Sequence, residues 1–130
     1  MFLQSKKIVL VILVIIGSVF FGIAVFFDDG VDQIYFDSHV WKNTPAEFSL
    51  GSMRLRMVDD FLDENSIVGM SRDQVISLIG EPDQTKYFKS SEMVYMLGQE
   101  TDSYFAIDAQ WLVLELNDSE RVASYDIVTD

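Results

Sequence analysis

His39 is the only histidine in this 130-residue chain, cysteine is absent, and carboxylates are plentiful, with 21 Asp and Glu. These counts bound the available chemistry. Without thiols there is no disulfide, no thiolate metal cage and no cysteine nucleophile. Histidine is the residue type that moves protons near neutral pH, but His39 follows Asp37 and Ser38 directly. Three chain neighbours do not form a triad, whose members converge from separated segments. Asp59 and Asp60 are also adjacent. On a helix they point about 100° apart, whereas acid and base carboxylates face one another across a cleft. Asp28, Asp29, Asp32 and Asp37 do not follow D-x-[DN]-x-[DN]-G with a twelfth-position Glu, so no EF-hand loop is expected. The residues predict no catalytic group, no cofactor and no metal site. An enzyme is the least favoured class, resting on His39 alone.

The carboxylates are unevenly distributed. All 21 lie after residue 27, with seven of the nine Lys and Arg, so residues 28–130 carry −14 within a whole-chain charge of −12. Nucleic acid is excluded as a partner, because phosphate is held by clustered Lys and Arg. Such an acidic surface aids solubility and repels anionic lipid headgroups. It also suits a basic protein partner.

Before the acidic region, residues 8–27 read IVLVILVIIGSVFFGIAVFF, twenty residues without a charge, sixteen of them Ile, Val, Leu or Phe. As a helix rising about 1.5 Å per residue they extend about 30 Å, the thickness of a bilayer's hydrocarbon core. At about −0.3 to −0.6 kcal/mol each, the large apolar residues favour insertion by about 5–10 kcal/mol. In lipid even β-branched residues form helix, since the backbone has no other hydrogen-bond partners. Lys6 and Lys7 precede the run and Asp28 and Asp29 follow it, which puts residues 1–7 in the cytoplasm and residues 28–130 outside. A cleaved secretory signal is the competing reading. Its apolar core runs about 7–15 residues, and cleavage near Gly22 and Ala24 would leave Val25, Phe26 and Phe27 as a greasy terminus. Ser18 and Gly22 have the small-xxx-small spacing of packed membrane helices, a spacing frequent by chance.

Residues 28–50 form a connector, yet they hold Ile34, Tyr35, Phe36, Val40, Trp41 and Phe48, whereas disordered linkers are poor in aromatics. Part of the connector is expected to dock on the domain at 51–130, either as an added edge strand or across a sheet face with Trp41 against Trp111. Residues 54–65 repeat Leu55, Val58, Phe61 and Leu62 at helical steps, with Met57 at the border, which predicts an amphipathic helix. Ser71 followed by Gln74 predicts a capping box, Met70 with Val75 a hydrophobic staple, and Gly80 before Glu81-Pro82 a left-handed helix end. Val75, Leu78 and Ile79 face inward. This second helix is too short to stand alone and needs a sheet to pack on. Strands are predicted at 85–89, 93–98, 111–116 and 121–127. Alternation puts Leu112, Leu114 and Leu116 on one face and Trp111, Val113 and Glu115 on the other. After a turn at 117–120, Ala123, Tyr125 and Ile127 share a side. Connections this short demand antiparallel pairing. The expected fold is α+β: a transmembrane helix, then two helices packed on a three- to four-stranded antiparallel sheet.

The stretches RMVDDFL at 56–62, GMSRDQV at 69–75 and LIGEPD at 78–83 resemble the helix pair of the SmpA/OmlA domain, the BamE-like family, whose fold is similar to each half of the β-lactamase inhibitory protein. The likeness continues through Tyr95, Leu97, residues 111–116 and the strand from Val122 to Ile127, covering residues 54–128. It implies a small exported binding module with protein contacts and no chemistry. Members of that family carry a lipidated N-terminal cysteine, which this chain lacks. The resemblance is therefore carried over as a fold and not as a role in outer-membrane assembly.

Joined to the apolar run, the resemblance implies a protein-binding or adaptor module on the outer side of the bacterial cytoplasmic membrane. Its partners would be the bilayer, through residues 8–27, and another envelope protein. A sheet with helices on one face leaves the other open. Trp111 and Val113, with Tyr95 from the neighbouring strand, are expected there as partner-binding residues. Tyr104 and Phe105, in the loop 99–110, are expected as further contacts, since aromatic residues are frequent interface anchors. The alternative function is an inhibitor or immunity-type protein whose acidic surface binds a basic secreted enzyme.

Overall fold

The computed structural model describes residues 31–49, 51–90, 92–101, 104–105 and 107–130. The apolar run at 8–27 lies outside them, and among the described residues no helix is long and apolar enough to cross a membrane.

Asp37 begins the first helix, α1 (Ser38–Asn43), where its Oδ1 accepts the Val40 N–H at 2.9 Å. The helix turns Trp41 inward, to ring contacts with Phe36 at 6.0 Å and Phe61 at 5.8 Å. Residues 31–49 of the connector do dock, with the helix α1 on the helical side of the domain. Among the described residues it neither adds an edge strand nor lays Trp41 against Trp111: Phe36 and Trp41 find their apolar surroundings beside Phe61, while Tyr35 and Phe48 stay exposed. Two backbone donors tie the segment before α1 to α2 (Met53–Glu64): Ile34 N–H reaches Arg56 O at 3.0 Å and Phe36 N–H reaches Asp60 Oδ2 at 2.6 Å.

α2 buries Leu55, Val58 and Phe61 of the predicted stripe, together with the border residue Met57, while Leu62 is only half-buried; Arg54, a charge, is buried on the same face. α3 (Arg72–Ile79) opens with the capping box: Ser71 Oγ accepts the Gln74 N–H at 3.2 Å and Gln74 Oε1 accepts the Ser71 N–H at 2.9 Å. Two orphan N–H groups of the first turn are thereby satisfied. Val75 and Ile79 are buried and Leu78 is half-buried.

Gly80 ends α3 at φ 81°, ψ −175°. The positive φ is the predicted one, but the conformation is extended rather than left-handed helical, in a region essentially confined to glycine. The chain needs that shape to run on to the sheet, where Asp83 N–H donates to Val94 O at 2.8 Å. A Cβ on Gly80 would stand 3.4 Å from Lys42 Cγ, an ordinary contact, so the penalty for a side chain is conformational. Gly80→Ala should lower stability by about 1–3 kcal/mol, and Gly80→Val by more, through β-branching. The urea midpoint of the full chain in detergent reads the change; unaltered midpoints in both variants would mean the helix ends elsewhere.

Three antiparallel strands, β1 (Glu92–Gln99), β2 (Ala109–Leu116) and β3 (Val122–Thr129), lie in the order β1-β2-β3. The strand expected at 85–89 does not form. Asp83 already occupies the edge of β1, its Oδ2 accepting the Met96 N–H at 2.8 Å, and residues 86–88 bend away. Farther along that edge Ser52 Oγ donates to Leu97 O, and Gln99 N–H donates to Ser49 O at 3.3 Å. The backbones are so close here that a Cβ on Gly98 would lie 2.7 Å from Ser49 O. These contacts cover an edge that would otherwise invite strand pairing with another chain.

A bulge sets Val122 opposite Leu116 and Ser124 opposite Glu115, leaving Ala123 as the extra residue. Ala123 therefore loses the side predicted for it and Val122 takes the core position, while Tyr125 and Ile127 stay opposite Leu114 and Leu112. The start of β3 is tied to the residues before α3 by Gly69 N–H to Val122 O at 2.7 Å and Val122 N–H to Met70 O at 2.8 Å. The core between helices and sheet holds Trp41, Phe61, Val75, Ile79, Tyr95, Leu112 and Leu114. Among the described residues the result is an α+β domain with three helices, α1 being additional to the pair predicted to pack on the sheet, and three strands.

Candidate protein-binding face

β2 alternates as predicted: Leu112 and Leu114 point to the helices, while Trp111 and Val113 point away. Register brings Val94 opposite Val113, and sets Met96 and Val128 on either side of Trp111. A second apolar cluster results, with Val94, Ala109 and Trp111 buried and Phe88, Met96, Val113 and Val128 around them. Trp111 is only 7 % exposed, so it is a floor and not a protruding anchor. The Phe88 ring packs edge-on against it at 5.5 Å, and its Nε1 donates to Asp130 Oδ2 at 3.0 Å. The bent segment 86–88 supplies the cover that had been expected from Trp41.

Tyr95 does not join this face. It pairs with Leu112, is fully buried beneath the helices, and donates its hydroxyl to Gly80 O at 2.8 Å. Burial, reinforced by the carboxylates of Glu81 and Asp83, pushes its phenol well above the usual tyrosine range. A pKa raised by folding gives stability that is complete below the unfolded value of about 10 and is lost as pH rises above it. Tyr95→Phe should cost about 1 kcal/mol near neutrality through the lost hydrogen bond. Its deficit should shrink from about pH 8 to about pH 11, as only the wild type suffers the proton linkage. Urea midpoints of both proteins at the two pH values check this; a constant deficit would refute it.

Tyr104 and Phe105 are 97 % and 78 % exposed and stack edge-to-face on one another at 5.3 Å. They form a loop tip apart from the Trp111 cluster. The structure thus brings two of the five expected residues, Trp111 and Val113, onto one surface.

Phe88 divides that surface into two clefts. One, of about 640 Å³, is lined by Phe48, Tyr87, Met96, Ile107 and Trp111 among others. The other, of about 480 Å³, has Phe88, Val113 and Val128 in its walls and Glu92, Glu115 and Asp126 among its polar residues. Glu92 and Glu115 are direct cross-strand partners, and Asp126 is diagonal to Glu115. Sequence reasoning placed Glu115 on this side but missed Phe88, Glu92 and Asp126. Glu92 lies on this side because it alternates with the core residues Met93 and Tyr95, so a reading that sends Tyr95 outward turns Glu92 inward. Among the described residues no group of three or more His, Cys, Asp or Glu is placed to hold a metal ion.

Residues 64–126 match the family model of the outer membrane protein assembly factor BamE domain. The match supports the BamE-like domain that the sequence motifs resemble. It begins at the last residue of α2, takes in α3, β1 and β2, and ends within β3. Val113, Trp111 and Phe88 thus belong to the BamE-like stretch, while α1 and nearly all of α2 precede it. Comparison with curated proteins and with solved structures gives no match.

Proposed function

We propose that the chain is a membrane-tethered, extracytoplasmic module of the bacterial cell envelope that binds another envelope protein and performs no catalysis. The observation that carries this reading is the match of residues 64–126 to the BamE domain, a family described as an outer membrane protein assembly factor. An apolar sheet face with two clefts beside it supports a binding role. The charge-free run at 8–27 supports a tether in the cytoplasmic membrane, with Lys6 and Lys7 on the inner side and the acidic domain outside.

The test uses the full chain with a C-terminal tag. It should remain in membranes after an alkaline carbonate wash and, once solubilised in mild detergent, should retain an envelope protein in constant ratio. Release by carbonate would remove the tether. Absence of any envelope protein at constant ratio would remove the binding role.

A further inference from the structure

We infer that the cleft beside Phe88 receives a basic–apolar segment of the partner, with an Arg or Lys held by Glu92 and Glu115 and a neighbouring large apolar side chain seated on Val113 and Val128. This deepens the protein-binding reading and rests on it.

Glu92 and Glu115 stand directly opposite each other on adjacent strands. Like charges in that arrangement destabilise a sheet, so the free domain carries a local cost. Among the described residues no ion pair offsets it: the one present is Arg54–Asp83, and the exposed Lys86 and Lys89 make none. Among the described residues Glu92 Oε2 accepts the Lys89 backbone N–H, at 3.0 Å, and Glu115 Oε2 the Ser124 hydroxyl, at 3.2 Å. Asp126 adds a third carboxylate, its Oδ1 accepting the Ile127 N–H at 2.9 Å.

The apolar wall alone would accept any greasy side chain, since an exposed apolar patch rimmed by polar groups is a general mark of an interaction site. The rim makes the choice. An acidic segment would be repelled, a neutral one would leave the carboxylate pair unrelieved, and a basic one neutralises it. The −14 carried by residues 28–130 draws the same class of partner from a distance. A metal ion fits less well, as no described group of three suitable ligands converges here.

The inference predicts opposite signs for stability and binding in one variant. The probe is a fluorescein-labelled nonapeptide alternating Arg with Leu and Val, titrated by anisotropy against the full chain in neutral detergent micelles. Glu92→Gln with Glu115→Gln should weaken peptide binding about tenfold or more, yet raise the melting point by about 1–5 °C by removing the repulsion. Asp59→Asn with Asp63→Asn changes net charge equally on the exposed side of α2, and should alter binding less than about twofold if the site, not the overall field, is responsible. Equal losses in the two double variants, or a lower melting point in the glutamate variant, would overturn the inference. So would a calcium-induced rise in the wild-type melting point that the glutamate variant lacks, which would make the pair a cation site. Membrane capture separates this idea from the broader one. If Glu92→Gln with Glu115→Gln retains the envelope partner as well as wild type does, the inference falls and the binding role stands. A wild type that retains none removes the binding role itself.

Discussion

Trp41→Ala should destabilise the domain by about 3–5 kcal/mol, the usual cost of truncating a buried tryptophan. Trp41 has no exposed surface, meets the Phe36 and Phe61 rings, and lies under the Arg54 guanidinium, 5.7 Å from its ring centre. Small domains have only about 5–15 kcal/mol in total, so the melting point should fall by about 12 °C or more. Trp41→Phe should be far milder, within about 1.5 kcal/mol. Phenylalanine keeps most of the apolar volume, and it discards an indole N–H that is buried without an acceptor, a burden in the wild type. Thermal unfolding of the full chain in detergent, followed by near-ultraviolet circular dichroism, compares the two. A Trp41→Ala variant within about 1 kcal/mol of wild type would mean that residues 31–49 are not part of the folding unit.

What the sequence revealed about this fold was mostly local. The Ser71–Gln74 capping box spans three residues and depends on nothing distant, so it was readable, as was the alternation that separates Leu112 and Leu114 from Trp111 and Val113. Long-range choices were not. Nothing in the sequence sets Tyr95 against Leu112 and not Trp111, because a strand joined by the long loop 99–110 has no turn to fix its register, and a one-residue slip changes its face. Tyr95 lies opposite Leu112. Residues 85–89 alternate well enough to suggest a strand, but Asp83 reaches β1 first and its bonds to Val94 and Met96 take the edge. α1 has six residues, too few for a helical period to register, and aromatic content alone foretold docking without saying on which side. The candidate face was half legible for the same reason: its β2 residues follow a rule of alternation, while Phe88, which divides it, arrives from a bend.

Arg54 illustrates what periodicity misreads, since a charged residue at the edge of an apolar stripe is assigned to solvent, and its partner lies 29 residues away at Asp83. The pair supports a prediction with an asymmetry opposite to the burial of its members. Arg54 is the more enclosed, with side-chain exposures of 9 % and 30 % for Arg54 and Asp83. Its Nη1 donates to Asp83 Oδ2 at 2.7 Å and to Met96 O at 3.3 Å. The same Oδ2 accepts the Met96 N–H, so one carboxylate oxygen serves a buried cation and a strand edge together. Asp83→Ala therefore leaves a guanidinium enclosed without a counter-charge and a backbone N–H without its acceptor. The expected loss is about 3 kcal/mol, the lower end for a broken buried pair, because the site is open to water on the Asp83 side. Arg54→Met should cost less, about 1–2 kcal/mol, since methionine fills much of the volume while the partly exposed carboxylate keeps Met96 and can take water. The double variant should be no worse than Asp83→Ala alone, because removing the cation removes the charge that was left unpaired. A double-mutant cycle by urea unfolding reads all three, and simple additivity would show that the two groups do not act as a pair.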